Sequence, residues 1–260
     1  MIIPAIKANG NLNSFIIIDR KDIPHLELKK SAIKKISICH DSLCVDGVVI
    51  IKKITNKNYR VDYYNNDGTW ETLCVNSLRC VGLLLFEKYN IQNISLDCGD
   101  GIHNVYIKDN NIIVDMNKPE YKSDKIDING YKGYYLFSGA KHFVINYLDN
   151  WPENEELKTI AQKIRYDKYF SEGVNVNFFK YNNNNLDVIT YEKGIEKIMP
   201  SCASGSFACA YHCIFNNKIK NKDIYITNPS GELFAHIDVG KNRFHISGTA
   251  TIEKEIGILI

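Results

Sequence analysis

Two cysteines occur in short segments that resemble each other, and each segment opens a run with the pattern of a helix. Cys74 is followed by Val-Asn-Ser-Leu-Arg-Cys, and Cys202 is followed by Ala-Ser-Gly-Ser-Phe-Ala-Cys. We predict that Asn76 and Ser204 cap these helices, which places each sulfur beside the unpaired amides of a helix start. Such a position lowers the pKa of a thiol and offers a site for an anion next to it. Two such thiols suggest an acid and a base that act on one substrate atom.

The other cysteines are predicted to be structural. Cys80, Cys209 and Cys213 lie on apolar helical runs, and we expect them, with Cys98, to be small buried hydrophobic residues. Structural zinc favours ligand pairs separated by two residues, and the spacings from Cys39 to Cys44 and within the two helical runs do not match that pattern. No metal site is therefore predicted.

Composition and charge exclude several classes of partner. The chain has 260 residues, 45% of them hydrophobic, which is enough to bury the core of one large or two mid-sized domains. With 32 basic and 30 acidic residues, it lacks the electrostatic footprint of a nucleic-acid-binding protein. No long apolar stretch and no signal-peptide pattern is found. We therefore expect a cytoplasmic protein with reduced thiols and with neither a nucleic acid nor a membrane as partner.

The pattern of elements predicts an internal duplication. Each half reads as two strands, a helix, two strands, a cysteine turn with its helix, and further strands. In the first half we predict a helix from about Leu28 to Ser37 and a helix after the Cys74 turn that ends at Tyr89. In the second half we predict a helix that starts at Pro152 and a helix after the Cys202 turn that ends at Phe215. A polar segment at 117–124 separates the halves, so we expect domains at 1–118 and 119–260, with the last strand a candidate to pair with the first half. This arrangement predicts two helix N-termini that face each other across a cleft.

Nine short motifs follow one another in an order known from one enzyme family. They begin at Lys7 (K-A-N-G-N-L-N-S-F-I-I-I-D), Asn65 (N-N-D-G-T-W-E-T-L-C-V-N-S-L-R-C), Val114 (V-D-M-N-K-P), Gly139 (G-A-K-H), Gly173 (G-V-N-V), Tyr191 (Y-E-K-G), Ser201 (S-C-A-S-G-S), Pro229 (P-S-G-E-L) and Ile246 (I-S-G-T-A). From end to end the chain resembles the diaminopimelate epimerase family of cofactor-independent amino acid epimerases. The resemblance implies an α+β fold of two pseudo-symmetric halves. Each half is mostly antiparallel and barrel-like around a central helix, and the active site lies in the cleft between them.

The resemblance also implies an isomerase with no cofactor, and it assigns roles by position. Cys74 and Cys202 match the two catalytic cysteines, one of which removes the α-proton while the other returns one to the opposite face. The backbone amides of Asn76, Ala203 and Ser204 match those that hold the α-carboxylate, a placement that also stabilises charge developing on deprotonation. Matches to residues around the substrate are Asn13, Asn65, Asn175, Glu192 and Lys193, the last at the place of an arginine that pairs with the distal carboxylate. His142 matches a family histidine, for which a structural role remains an equal alternative.

Departures from the family pattern cluster around the expected substrate. Val75, Ser77 and Ala203 stand where the family has glycines, and Ala140 replaces an asparagine. Lys193 cannot offer the two-pronged contact that arginine gives a carboxylate. The leading hypothesis is conversion of LL- to meso-diaminopimelate, a step of lysine and peptidoglycan biosynthesis, with a racemase of another amino acid such as histidine as the alternative. An isomerase or dehydratase of the same fold, a non-catalytic binding module and a homodimer also stay open.

Overall fold

The computed structural model describes residues 2–38, 44–108 and 111–259. Cys39, one of the cysteines considered above, lies outside these ranges. The chain divides into two compact units, the first formed by Met1–Asp115 with Ser247–Ile260 and the second by Met116–Ile246.

Four α-helices and nineteen strands make up the regular structure of the described residues. The helices are α1 (Lys30–Ser37), α2 (Val75–Tyr89), α3 (Asn154–Arg165) and α4 (Ala203–Phe215), and a 3₁₀ turn spans Arg20–Asp22. The strands are β1 (Ile2–Gly10), β2 (Asn13–Asp19), β3 (Gly47–Lys53), β4 (Asn58–Asn65), β5 (Trp70–Glu71), β6 (Asn93–Cys98), β7 (Gly101–Lys108), β8 (Asn111–Asp115), β9 (Glu120–Tyr121), β10 (Ile126–Ile128), β11 (Tyr131–Phe137), β12 (Lys141–Asn146), β13 (Asn175–Asn182), β14 (Asn185–Glu192), β15 (Lys197–Met199), β16 (Asp223–Asn228), β17 (Gly231–Asp238), β18 (Arg243–Gly248) and β19 (Thr251–Leu259).

Both units use the same order of strand pairings. In the first unit β1 and β2 are antiparallel, β2 and β3 parallel, β3 and β4 antiparallel, and β4 and β6 parallel. In the second unit the same four relations join β11 to β12, β12 to β13, β13 to β14 and β14 to β16. The predicted α+β fold with an internal duplication is thus confirmed. The last strand, β19, pairs antiparallel with β1.

The helices that follow the two cysteines form the core of their units. In α4 every residue from Ala203 to Cys213 is buried, and α2 buries ten of its fifteen residues. Strands surround both helices: α2 contacts β1, β7, β8 and β19, and α4 contacts β12, β13, β14 and β17. A helix that is apolar on all sides needs such an enclosure, whereas a helix with one apolar face packs on the outside of a sheet. The enclosure holds the first turn of each helix in a fixed position.

The two remaining helices are amphipathic. Helix α3 buries Leu157, Ile160, Ala161 and Ile164, whose spacing places them on one face of the helix. Its start differs slightly from expectation, because the helix begins at Asn154 with Glu153 as N-cap, so Pro152 precedes the helix. None of the helices in the described ranges has both the length and the apolar character required to cross a lipid bilayer.

Candidate active site

Each of the two cysteines occupies the N-cap position of a buried helix. Cys74 has φ −134° and ψ 101°, and Cys202 has φ −134° and ψ 99°, so the two helix starts repeat almost the same backbone. The prediction that Asn76 and Ser204 are the N-caps was wrong by two positions, because the extended backbone of an N-cap lies at the cysteines themselves. The thiols are therefore attached directly to the ends that carry unpaired amides and the positive end of the helix dipole.

Close packing fixes the start of α2. A side chain at Gly10 would meet the Asn76 carbonyl oxygen at 2.7 Å, so β1 approaches this turn as closely as a backbone can. Ser77, one of the departures from the family glycines, directs its hydroxyl back to the Cys74 carbonyl at 2.8 Å. Val75 is buried as well. Both larger side chains are thus accommodated within the protein interior of the first unit.

A directed chain of hydrogen bonds surrounds Cys74. The Cys74 thiol donates to Asn13 Oδ1 at 3.9 Å, and Asn76 Nδ2 donates to the same oxygen at 3.2 Å. Asn13 Nδ2 in turn donates to Asp46 Oδ2 at 3.1 Å. These contacts bring together three residues predicted for the site, Cys74, Asn76 and Asn13, around one amide oxygen.

Arg79 lies behind this group and is fully buried. Its guanidinium donates from Nη2 to Asn76 Oδ1 at 2.9 Å and to Asn11 Oδ1 at 2.8 Å, and from Nε to the Thr249 carbonyl at 3.3 Å. Burial lowers the pKa of Arg79 to about 10, and the neighbouring Cys80 and Cys74 act in the opposite direction. At neutral pH the residue remains a cation, which Asn76 connects to the hydrogen-bonded group around Cys74.

A second hydrogen-bonded group surrounds Cys202. Cys202 Sγ lies 3.6 Å from Ser204 Oγ, and Ser204 Oγ lies 3.1 Å from His142 Nε2. His142 Nδ1 lies 3.1 Å from Asn177 Nδ2, which also donates to the Phe143 and Asn175 carbonyls. Thr190 donates to Asn177 Oδ1 at 3.0 Å. The second unit therefore joins the predicted residues Cys202, Ser204 and His142.

The residues of this second group determine which partner donates in each of its hydrogen bonds. An amide nitrogen accepts no hydrogen bond, so the Asn177 NH₂ group, whose two protons are shared among the two carbonyls and the ring, donates to His142 Nδ1, and the ring proton resides on Nε2. Burial lowers the pKa of His142 to about 3, partly offset by the bond from Asn177, and the ring is neutral at physiological pH. His142 then donates to Ser204 Oγ, which leaves the Ser204 hydroxyl proton for Cys202. The sequence left two roles open for His142, one structural and one in the active site. Its contact with Ser204 favours the role in the active site.

The remaining predicted residues lie at strand ends. Asn65, at the end of β4, donates to Thr69 and Glu71 at 3.4 Å. Asn175, at the start of β13, accepts from the backbone amide of Lys193 at 2.8 Å, and Glu192 ends β14. Ala203 is the first residue of α4 and Ala140 is buried in the turn before β12.

An ion pair anchors the loop that carries Lys193. Arg165 on α3 contacts Glu196 at 2.9 Å, and Glu196 accepts from the Gly194 amide at 3.0 Å. Gly173 packs against the same guanidinium, where a side chain would meet Arg165 Nη1 at 2.0 Å. The loop is therefore held in place next to Lys193 by the Arg165–Glu196 pair.

The predicted structural cysteines are confirmed as buried. Cys80, Cys209 and Cys213 are fully buried, and Cys98 is 5% exposed. Burial raises the pKa of Cys80 and of Cys213 to about 12, and it raises the pKa of Cys98 and Cys209 as well. These thiols are protonated at neutral pH and are poor candidates for proton abstraction.

Four residues of the two hydrogen-bonded groups were not identified from the sequence: Asp46, Arg79, Asn177 and Thr190. Asn177 could have been found, because it lies two positions after Asn175 on one strand and so shares its face. Arg79 belongs to the motif around Cys74, and a single arginine in a helix that is otherwise apolar at its centre is a signal of a specific role. Asp46 and Thr190 carry no such signal, since their contacts depend on the pairing of distant strands.

Comparisons with known proteins find curated relatives that match most of the chain. A diaminopimelate epimerase from Methanocella arvoryzae is 34% identical over 229 residues, which is 78% of this chain and 79% of the relative. One from Thermotoga maritima is 30% identical over 242 residues, which is 90% of this chain and 93% of the relative. One from Hydrogenobaculum is 28% identical over 262 residues, or 94% of each. No protein-family model matches the chain.

Solved structures support the fold. A probable proline racemase from Agrobacterium radiobacter matches with a TM-score of 0.76 at 10% identity and covers 98% of this chain and 92% of its own. A hydroxyproline epimerase from Agrobacterium vitis matches with a TM-score of 0.73 at 12% identity, covering 98% and 91%. With a relative 34% identical over most of both chains and with the two-cysteine motifs in place, the chain belongs to the diaminopimelate epimerase family.

Proposed function

We propose that this protein is a cofactor-independent epimerase that converts LL- to meso-diaminopimelate. The observation that carries the proposal is the pair of thiols at two nearly identical helix N-caps, in a chain whose curated relatives are named diaminopimelate epimerases. A thiol at such a position can ionise near neutral pH, as a general base at an amino acid α-carbon requires.

The proton balance of the reaction assigns one role to each thiol. One cysteine, as the thiolate, takes the α-proton, and the electron pair passes into the carboxylate-stabilised carbanion. The other cysteine, as the thiol, gives its proton to the opposite face of the carbon. The enzyme is left with the two protonation states exchanged, which is the form required for the reverse direction, and proton exchange with water restores the first form. Neither an oxidant nor a bound cofactor is consumed.

Backbone amides are the groups that bind the α-carboxylate in this proposal. The amides of Asn76, Ala203 and Ser204 lie in the first turns of α2 and α4, where the backbone N–H groups point out of the end of the helix. Charge that develops on the carboxylate during deprotonation is stabilised by these oriented donors and by the helix dipoles. Asn13, Asn65, Asn175 and Glu192 line the substrate, and Lys193 receives the distal carboxylate.

The presence of Lys193 in place of the family arginine favours a second candidate substrate. A single ammonium replaces the arginine fork of the family, and Ala140 replaces an asparagine, so both changes reduce the polar contacts offered to the distal end of diaminopimelate. Racemisation of another amino acid, such as histidine, is the alternative under this reading.

One incubation in heavy water distinguishes these possibilities. The protein is mixed separately with LL-diaminopimelate and with L-histidine, and the α-protons are followed by NMR while chiral chromatography follows the products. The proposal predicts meso-diaminopimelate with deuterium at the inverted carbon. Inversion of histidine alone would assign the alternative substrate. The absence of α-exchange in a panel of amino acids, with a folded protein, would refute the epimerase proposal.

A further inference from the structure

We propose that Asp46 is a positioning residue of the proposed epimerase: through Asn13 it holds an amide oxygen on Cys74, and it thereby keeps Cys74 as the protonated thiol, the acid of the resting enzyme. The inference rests on the proposed two-thiol function and deepens it. It gives each thiol a defined role before substrate binds.

The orientation of the Asn13 amide follows from Asp46. Asp46 is 8% exposed, and its Oδ2 accepts from Asn13 Nδ2 at 3.1 Å, from the Ser14 amide at 2.9 Å and from the Ser14 hydroxyl at 3.0 Å. A carboxylate accepts hydrogen bonds and donates none, so only the NH₂ group of Asn13 can face it. The amide oxygen of Asn13 must then point away from Asp46 and toward Cys74.

Arg79, at the other end of this series of hydrogen bonds, requires the same orientation of the amides. Arg79 only donates, so the oxygen of the Asn76 amide faces the guanidinium and its NH₂ group faces Asn13 Oδ1. A residue that only donates and a residue that only accepts thus bracket two amides, and both amides have a single satisfactory orientation. Flipping either one would bring two donors or two acceptors together inside the protein.

The fixed oxygen of Asn13 selects the protonation state of Cys74. A thiol can donate to this oxygen, as it does at 3.9 Å, whereas a thiolate would face its lone pairs. The contrast with Cys202 is direct, because Cys202 has the Ser204 hydroxyl as its neighbour and can accept a hydrogen bond from it. The two units therefore favour opposite states, thiol at Cys74 and thiolate at Cys202.

Other charges near Cys74 act in both directions. The helix amides and the Arg79 cation favour the thiolate, so the amide oxygen opposes them. Charged and titratable groups on the helix itself and on the elements packed against it are Arg79, Cys80, Glu87, Lys88 and Tyr89 on α2, Lys7 on β1, Asp19 on β2, His103, Tyr106 and Lys108 on β7, Asp115 on β8, and Glu253, Lys254 and Glu255 on β19. Lys7 and Glu253 pair with each other at 2.7 Å. An Asp46→Asn variant leaves all of these groups unchanged, so its effect reports on Asp46.

The test is alkylation of the substrate-free protein with iodoacetamide from pH 5 to 10, with each cysteine quantified by peptide mass spectrometry. In Asp46→Asn the new amide can donate to Asn13, which allows the Asn13 amide to turn its NH₂ group toward Cys74. We expect the alkylation rate of Cys74 at pH 7 to rise about five- to tenfold, and the rate of Cys202 to stay within about twofold. Asp62→Asn, which removes a half-buried carboxylate that pairs with Arg60 on β4, is the matched control and should change neither rate.

A double-mutant cycle separates the effect of Asn13 from simple loss of charge. Asn13→Ala removes the amide oxygen and keeps Asp46, and it should by itself accelerate Cys74 alkylation to a similar extent. If Asp46 acts through Asn13, adding Asp46→Asn to Asn13→Ala changes the rate by less than about twofold, whereas a through-space effect of its charge would multiply with that of Asn13→Ala. Full multiplication, or unchanged Cys74 rates in folded single variants, would overturn the inference.

Folding and function are controlled separately. Circular dichroism and thermal melting report whether Asp46→Asn folds, and Asn13→Ala alone still tests the role of the amide oxygen if it does not. The inference also predicts that the basic limb of the pH profile of kcat/KM moves to lower pH in Asp46→Asn by the shift seen in alkylation. If Asp46→Asn epimerises normally and its Cys74 alkylation profile is unmoved, the positioning role alone is refuted. If the Cys74 profile moves but the parent protein shows no epimerisation, the proposed function alone is refuted.

Discussion

Ser204→Ala tests the hydrogen bond that the structure gives to Cys202. The hydroxyl of Ser204 lies between His142 Nε2, at 3.1 Å, and Cys202 Sγ, at 3.6 Å. Because the His142 ring is neutral with its proton on Nε2, the serine hydroxyl accepts from the ring and directs its own proton to the sulfur. Removing the hydroxyl deprives a Cys202 thiolate of its donor and leaves the imidazole N–H without this acceptor.

The size of the effect follows from the strength of such bonds. A hydrogen bond to a charged group contributes about 1.5–3 kcal/mol, and a sulfur acceptor at 3.6 Å belongs at the low end of that range. About 1.4 kcal/mol corresponds to a tenfold change in ionisation, so the alkylation midpoint of Cys202 should rise by about one pH unit. At pH 7 its alkylation rate should fall about tenfold, and kcat/KM should fall with it.

The assay is site-resolved alkylation across pH, together with kcat/KM for LL-diaminopimelate. Ser206→Ala is the matched control, because Ser206 lies on the same helix and is equally buried but bonds to Asn228 at 3.2 Å. A Ser204→Ala protein with a normal melting temperature and an unchanged Cys202 midpoint would refute the assigned direction of the His142–Ser204–Cys202 chain.

Three further predictions concern substrate, redox state and stability. Lys193→Met should reduce turnover of diaminopimelate by about 1.5 to 3.7 orders of magnitude, since truncating one partner of a buried charge pair costs about 2–5 kcal/mol and about 1.36 kcal/mol is tenfold. Turnover that survives this change in steady-state kinetics would contradict the placement of Lys193 at the distal carboxylate. Mild oxidation should link Cys74 to Cys202 and inactivate the protein reversibly, as peptide mapping can show; disulfides confined to Cys80, Cys98 or Cys209 would count against the pairing. Burial lowers the pKa of His103, but the hydrogen bond and the charge of Asp100 outweigh burial and raise the pKa overall. Protonated His103 therefore stabilises the fold at pH values below its unfolded pKa, and this contribution is lost as the pH rises through the raised pKa of the folded state. Melting temperatures from pH 6 to pH 9 should therefore fall more in the parent than in His103→Gln, and equal slopes would refute the effect.

The sequence predicted the repeated order of elements because the periodic patterns are strong. The predicted ends of α2 and α4 at Tyr89 and Phe215 agree with the structure. Strand β6 was missed but could have been predicted, because Asn93–Cys98 alternates polar and apolar residues over six positions, which is the pattern of a half-buried strand. The short strands β5, β9, β10 and β15 were missed as well, since two or three residues carry no period.

Site residues that belong to sequence motifs could be predicted, whereas residues that reach the site through the packing of distant strands could not. Cys74 and Cys202 were identified from their place before apolar helices, yet the N-cap was assigned to Asn76 and Ser204 because side-chain preference favours asparagine and serine there. The structure places an extended backbone at the cysteines instead. Asp46 reaches Asn13 because β2 and β3 are parallel neighbours, with Phe15 opposite Gly47. Such a contact depends on strand register, which a single sequence does not reveal.

Under the proposed function, inversion requires both thiols, Cys74 and Cys202. The most direct measurement compares Cys74→Ala and Cys202→Ala with the parent in heavy water, following both inversion and α-deuteration of LL- and meso-diaminopimelate. The account predicts that neither variant interconverts the epimers in either direction while both stay folded, because one remaining base can exchange a proton on its own face only. Interconversion by either variant at near the parent rate would contradict the two-thiol account.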